Sequence, residues 1–433
     1  MTDQPSATTL ALKAYHYWRV SGTVALLARV GSYLRTRKSR NRSGRPPTEL
    51  SGVATVLNER FKALQPIPAF RVPTDRRRIT IVTDSISRGS LFGGVGTALM
   101  LGALAAQRVG ASLRIVTRDE PADGGALGPL LKVNGIRFDQ PTEFHFLPAD
   151  TSDQLQFHEA DRFITTSWWT TTAAQHLPKS AQFYLLQEDE RMFYPAGDDA
   201  VRCASIMADP RIRPIVNSRL LYDHLAQEFP GLEQRGSFFE PAFPSSHFYL
   251  EDRTSVGKRT LFFYARPNNP RNLFYLGCEV LRRAVESGLL PPDRWKLLLC
   301  GKDVPRLGFT PAIEVEYAES LSWDAYSATV RKCDVGLSLM STPHPSYPPL
   351  DLAASGAIVV TSSWGPKTDL SRYSENIVMA SPEPDALTAA LGTAVRMAED
   401  AQGRRARYER NGLQRDWTRA LAGAVDRIEQ SYR

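Results

Sequence analysis

Two cations stand where an open α/β sheet would place them to meet an anion. Arg266 ends the apolar run Leu261-Phe-Phe-Tyr-Ala, and Lys302 follows the run Trp295-Lys-Leu-Leu-Leu-Cys300. Each run reads as a buried strand, so the two side chains lie at the carboxyl ends of neighbouring strands and share one crevice. A diphosphate is the guest that such a pair suits. Further on comes Pro343-His-Pro-Ser-Tyr-Pro-Pro-Leu-Asp-Leu-Ala-Ala-Ser-Gly356, the start of a helix with proline in its first turn. Backbone N–H groups at Ser346 and Tyr347 and the helix dipole, with Pro348 shaping the first turn, would meet a phosphate there. Asp351, one turn in, is placed either to accept hydrogen bonds from ribose hydroxyls or simply to complement the dipole.

A glycine-rich loop, Gly89-Ser-Leu-Phe-Gly-Gly-Val-Gly96, follows the first clear strand, Arg78 to Asp84. It is not the dinucleotide fingerprint, because Leu99 stands where a small residue is needed, and it lacks the Gly-Lys-Ser/Thr of a P-loop. What remains is that Gly93, Gly94 and Gly96 let backbone N–H groups approach an oxyanion or a sugar, or else make a tight turn. Asp84, Glu188 and Asp189 follow strands of the first half and read equally as acceptor-binding acids or as ordinary loop acids. No Asp-x-Asp motif lies near a strand end, and no metal or other cofactor is expected.

These residues need strands to carry them, and the hydrophobic pattern supplies them. Strand, helix and strand alternate from residue 78 through 117, with Thr97 to Arg108 helical and Gly110 closing it; 162–166, 182–186 and 214–216 read as further strands. The alternation restarts with a strand at 260–264, a helix at 273–286 and strands at 295–300, 335–339 and 357–361. The segment Pro241 to Lys258, rich in Pro, Ser and charge, reads as a linker. The expected organisation is a basic arm over 1–50, a first Rossmann-like domain over 51–245 and a second over 255–409. A last helix within 404–433 crosses back, so that 410–433 completes the first domain. The fold class is α/β, with two doubly wound sheets facing a cleft.

The chain has 433 residues and a net charge of +7. Nine Lys and Arg against two acids in the first 50 residues account for all of it, leaving the rest neutral. That argues against a nucleic-acid-binding protein, whose body would carry a basic face. The arm itself, with Tyr15, Tyr17, Trp18 and an imperfect apolar stripe over 10–38, reads either as a helix lying on anionic lipid or as a solvated or internally packed segment. Cys203, Cys278, Cys300 and Cys333 lie far apart with no metal-ligand spacing and read as reduced thiols of a cytoplasmic protein. No apolar stretch approaches the roughly 18 residues of a membrane span.

The stretch Ser346 to Val360 resembles the Gly-x-Pro-x-Leu-Glu-Ala-x-Ala-x-Gly-x-Pro-Val-Val signature of GT-B glycosyltransferases of the family 4 kind. Tyr184-Leu-Leu-Gln-Glu-Asp-Glu-Arg-Met-Phe-Tyr-Pro195, Ile215-Val-Asn-Ser218, Tyr264-Ala-Arg-Pro267, Pro270-Arg-Asn-Leu273 and Ser338 to Asp351 look like segments of bacterial rhamnosyltransferases of rhamnan and S-layer glycan synthesis. The resemblance runs over roughly residues 78 to 395. It implies a metal-independent, retaining enzyme that takes a nucleotide-diphosphate sugar, dTDP-β-L-rhamnose, to a lipid-linked surface glycan such as O-antigen, at the inner face of the plasma membrane. Arg266 and Lys302 would hold the diphosphate, Ser346 and Tyr347 would bring N–H groups to it, and Asp351 would hold the deoxyribose. The Gly93–Gly96 loop would face the donor and the acceptor from the other domain.

One departure matters. The paired acids of the family pattern fall at 343 and 351, where this chain has Pro343 and the shorter Asp351. Loss of the first acid, which ordinarily touches the donor sugar's hydroxyls, is compatible with a 6-deoxy sugar. It also leaves open another nucleotide sugar, or an inactive GT-B scaffold docking to a membrane glycan-assembly complex.

Overall fold

A computed structural model describes residues 52–73, 76–86, 93–178, 182–252 and 257–433. The basic arm over 1–50 and the Gly89 end of the glycine loop lie outside the described residues. The chain divides into two compact units, Met1–Phe61 and Lys62–Arg433. In the first, Val53–Arg60 is helical.

The second unit's first half holds strands β1 (Ala69–Arg71), β2 (Arg78–Thr83), β3 (Ser112–Thr117), β4 (Thr142–Phe146) and β5 (Leu155–Phe157). These are followed by β6 (Arg162–Thr165), β7 (Gln182–Leu186), β8 (Arg213–Asn217) and β9 (Ser237–Phe239). β1 pairs with β5, and the other seven form one parallel sheet in the order β4-β3-β2-β6-β7-β8-β9. The second half holds β10 (Arg259–Ala265), β11 (Trp295–Gly301), β12 (Glu314–Glu319), β13 (Val335–Leu337), β14 (Ile358–Ser362) and β15 (Ile377–Ala380). They form a parallel sheet ordered β12-β11-β10-β13-β14-β15.

In both sheets the winding direction reverses beside the first strand, between β2 and β6 and between β10 and β13. Connections to either side leave in opposite directions there, opening a crevice at the carboxyl ends of the strands. Central strands are buried on both faces, which is why β2, β10 and β11 show up in the sequence as short, largely apolar runs. The helix Gly94–Val109 lays Ala98, Leu99, Leu101 and Ala105 into the first core. Gly110, at φ 62°, ends it in the left-handed conformation that a side chain disfavours.

Edge strand β4 has no counterpart in the sequence reading, and two expectations change. β4 is mostly exposed, so it lacks the apolar run that would reveal it. The linker is no loose tether: Phe243 and Phe248 are buried, and the Phe243 N–H donates to the Gln414 carbonyl at 2.8 Å. The last helix is three pieces, Ala401–Glu409, Trp417–Ala420 and Ala422–Gln430. The first piece ends at Glu409, after which Gly412 passes so close to Arg372 that a Cβ would lie 2.3 Å from its carbonyl oxygen. Helix restarts at Asp416, whose carboxylate accepts the Thr418 and Arg419 N–H groups.

The crossing back is nonetheless present. Leu421, Ala424, Val425 and Ile428 enter the first core, and Arg108 binds Asp426 at 3.0 Å and Glu429 at 3.2 Å. Cys203, Cys300 and Cys333 are buried thiols outside any disulfide, and Cys278 is half-buried. Among the described residues, no helix is long and apolar enough to cross a membrane.

Candidate active site

Arg266 and Lys302 come together as their strands require. β10 and β11 run in register with Ala265 opposite Gly301, so each cation stands one residue beyond its strand at the same end of the sheet. Arg266 is half-buried and donates to the Tyr264 hydroxyl at 3.2 Å, whereas Lys302 is exposed. Gly301 is what permits the approach, because a Cβ there would sit 1.7 Å from the Ala265 carbonyl oxygen.

The loop after β13, on the other side of β10, brings the helix Tyr347–Ala354 to the same edge. Ser346 stands where the family signature has glycine, and its φ is 70°, a conformation that costs a side-chain-bearing residue on the order of 1 kcal/mol or more. His344 holds that turn: its Nδ1 accepts the Ser346 N–H at 3.0 Å. The Ser346 amide is therefore committed within the loop. Pro348 and Pro349 have no N–H, so of the first turn Tyr347 alone keeps an amide to offer, the Leu350 N–H being the one that closes the helix on the N-cap carbonyl.

Burial, with Lys367 and Arg271 nearby, pushes His344 down to about 3, so the ring is neutral and its proton sits on Nε2. Within the described residues Nε2 is buried with no hydrogen-bond partner. Beneath the loop, Lys367 is fully buried and donates to the Met340 carbonyl at 2.8 Å and the His344 carbonyl at 3.4 Å. Burial lowers it to about 8, opposed by Glu188. Asp351 is buried too, and the Tyr326 hydroxyl donates to it at 3.0 Å. Burial lifts its carboxyl to about 8 against that hydrogen bond.

The first sheet closes on this loop from across the cleft. The Tyr347 hydroxyl accepts from Asn217 Nδ2 at 2.9 Å, lies 3.3 Å from Thr97 Oγ1, and is 3.5 Å from Gln187 Oε1. Asn217 ends β8, Gln187 follows β7, and Thr97 is in the first turn of the helix Gly94–Val109. The glycine loop's described end is thus beside Tyr347. At Gly94 the tight neighbour is protein: a Cβ would lie 2.9 Å from Gln187 Cγ.

The three acids expected near an acceptor separate. Glu188 accepts from Thr342 Oγ1 at 2.9 Å and lies 3.5 Å from Arg271 Nη1, so it clamps the two sheets' loops together. Burial raises it to about 6, opposed by Arg271 and the Thr342 hydrogen bond. For Asp189, burial alone would raise the carboxyl, but hydrogen bonds from His224 and Arg191 override it and hold it at about 2. Both carboxylates are committed inside the protein rather than offered to a ligand. Asp84, half-exposed after β2, accepts from Trp169 Nε1 at 2.8 Å and is raised by burial.

Sequence reasoning assigned no role to Arg271, Thr342, His344, Lys367, Gln187 or Asn217. Lys367 was within reach of the rule that found Arg266 and Lys302, since it lies in the loop that leaves β14. The others owe their places to contacts across the cleft.

Residues 78–200 match the N-terminal domain of WsaF, and residues 259–392 match its C-terminal domain. An O-antigen biosynthesis protein, RfbC of Myxococcus xanthus, is 29% identical over 359 residues, covering 78% of this chain. The chain spans only 26% of that protein's length. Among solved structures, TarM superposes with a TM-score of 0.56 at 8% identity, over 82% of this chain and 99% of that one. HepE of Anabaena, determined in complex with UDP, gives 0.55 at 12% identity, over 82% and 100%. WaaG, a glycosyltransferase involved in lipopolysaccharide biosynthesis, gives 0.54 at 12% identity, over 81% and 99%. Such distant likenesses establish the fold alone. The two WsaF domains, matched in order over more than half of the sequence, establish the family: the chain belongs to the WsaF family and has the GT-B glycosyltransferase fold.

Proposed function

We propose that the chain transfers L-rhamnose from dTDP-β-L-rhamnose to a growing bacterial surface glycan, with retention of configuration and without a metal ion. The observation that carries this reading is the convergence at one sheet's switch point of Arg266, Lys302 and the start of the helix Tyr347–Ala354. A sugar leaving a nucleotide diphosphate deposits negative charge on the departing phosphate oxygen. Preorganised cations and amides at that point stabilise the transition state more than the ground state. Arg266 and Lys302 take the diphosphate, the amide of Tyr347 faces it, and Asp351 takes the deoxyribose hydroxyl.

Several features support the finer assignments. Pro343 is buried and apolar where the family pattern has the acid that touches sugar hydroxyls, which suits a 6-deoxy sugar. The HepE structure holds UDP, the class of leaving group proposed, and the RfbC name places that relative in O-antigen biosynthesis. The leaving phosphate oxygen takes the acceptor's proton on the same face, so no protein base is assigned. Asp84 remains as the acceptor-side carboxylate, and Gly93, Gly94 and Gly96 shape the wall between donor and acceptor. The basic segment 10–45 would keep the enzyme at the cytoplasmic membrane face beside a lipid-linked acceptor.

Incubation with dTDP-β-L-rhamnose and a rhamnosylated acceptor should release dTDP and extend the acceptor, undiminished by a chelator, and the product's anomeric configuration should match the mechanism. Turnover of a different nucleotide sugar would overturn the donor assignment. Failure to bind or turn over any nucleotide sugar would favour a non-catalytic scaffold.

A further inference from the structure

The opposite end of the first sheet holds a second set of cations. Because its strands are parallel, the amino ends of β8 and β9 lie about a strand length, about 13 Å, from the carboxyl ends at the active site. There a cleft of about 650 Å³ is lined by nine residues. Five are arginines, Arg211, Arg213, Arg235, Arg427 and Arg433, and none of the nine is acidic. They come from the turn before β8, its first residue, the end of the short helix before β9, and the C-terminal segment.

Contacts hold four of the five guanidinium groups, and among the described residues only Arg211 of them is ion-paired with an acid. Arg211 is held by the Asp209 carboxylate. Arg235 donates to the carbonyls of Ile212 at 2.9 Å and Met207 at 2.6 Å, and Arg427 to those of Gln234 at 3.3 Å and Gly236 at 3.5 Å. Arg213 lies over the Phe183 ring. Burial lowers Arg213, and the charge of Arg427 lowers it further. The C-terminal wall is anchored as well. Arg162 donates to Ser431 Oγ at 2.7 Å and its carbonyl at 2.6 Å, and stacks 3.9 Å from the Tyr432 ring centre. Like charges gathered in a half-enclosed, preorganised wall repel one another unless an anion joins them.

We propose that this cleft binds a phosphate- or diphosphate-bearing ligand separate from the sugar donor. Guanidinium forks held by backbone carbonyls are the geometry that receives phosphate oxygens in pairs. The volume lies in the range of small-molecule sites and well exceeds one phosphate, so the phosphate is the head of a larger molecule. A lipid headgroup and a soluble phosphate ester share this chemistry.

The test uses the full chain carrying Arg266→Ala and Lys302→Ala, so that the donor site no longer competes for the probe. Inorganic pyrophosphate titrated calorimetrically should still bind. Adding Arg427→Gln and Arg433→Gln should weaken it by about tenfold or more. Arg213→Gln is a second variant from another element, and thermal unfolding of each checks the fold. In parallel, the otherwise unmodified chain and its Arg427→Gln/Arg433→Gln variant are sedimented with phosphatidylcholine vesicles containing either phosphatidic acid or, at equal charge, phosphatidylglycerol, so that the attraction of the basic arm is common to both. Loss of binding confined to the phosphatidic acid vesicles identifies a lipid headgroup. Loss of pyrophosphate binding alone identifies a soluble ligand. If the parent chain binds neither probe, or folded variants bind both unchanged, the proposal is overturned.

Discussion

Replacing Asp351 with asparagine should make the protein more stable at neutral pH while weakening its grip on the nucleotide. Asp351 is 4% exposed, and its carboxyl rises from an ordinary 3.8 to about 8 because burial disfavours the anion. Between those two values the native state keeps a proton that the unfolded chain has released. The sign follows from linkage: stability from this group is full below about pH 4 and falls as the pH climbs toward 8. At about 1.4 kcal/mol per pH unit, the loss by pH 7 reaches at most about 4 kcal/mol. Asparagine has nearly the same shape, carries no charge in either state, and still accepts from the Tyr326 hydroxyl. Thermal unfolding of both proteins across about pH 5 to 8 should show the variant ahead, by a margin that widens with pH. Glu188 and Glu190, likewise raised by burial to about 6 and about 8, stay in both proteins and cancel in the difference. Calorimetry should show dTDP bound about tenfold more weakly if Asp351 holds the deoxyribose. A variant less stable than its parent at pH 7, or a margin that does not change with pH, would refute the reasoning.

Other expectations can be checked with the same preparations. Arg266→Ala and Lys302→Ala should each weaken dTDP binding by about tenfold or more while moving the unfolding midpoint by no more than about 2 °C, since neither side chain is buried; unchanged affinity in both would remove the diphosphate site. Tyr347→Phe takes away the oxygen that receives Asn217 across the cleft, so it should cost about 1 kcal/mol and raise the radius of gyration of the ligand-free protein in small-angle scattering. Deleting residues 1–50 should remove most of the binding to anionic vesicles and spare turnover of a soluble acceptor; retained vesicle binding would place the membrane contact elsewhere.

The sequence reading did best where a single strand carries both the fold signal and the chemistry. β10 and β11 are largely apolar because helices cover both faces, and their alternation with helices forces a parallel arrangement, so Arg266 and Lys302 fell into place. Edge strand β4 escaped because an exposed strand need not be apolar. The break in the last helix escaped because Gly412, beyond its first piece, meets the Arg372 carbonyl, a contact between distant segments. At the site, Ser346 carries no sign in its own type that its φ is positive, since His344 supplies the compensating hydrogen bond. Glu188 reads as a loop acid until Thr342 is folded against it from across the cleft. Hydrophobic periodicity describes each sheet alone; how the two sheets lock together is written in pairs of polar residues with no periodic signature.

The return of the helix Ala422–Gln430 to the first sheet also bears on the order in which the protein can be made. Val425 and Ile428 cover the helix Gly94–Val109, yet a ribosome adding about 5–20 residues per second reaches them only after about 300 further residues, roughly 15–60 s later. Through that interval the apolar face of the first domain stays uncovered while the second sheet, contiguous in sequence from β10 to β15, can complete itself. The domain synthesised first is therefore finished last. A nascent chain stalled before residue 421 should present an incomplete first core as a target for chaperones and proteases.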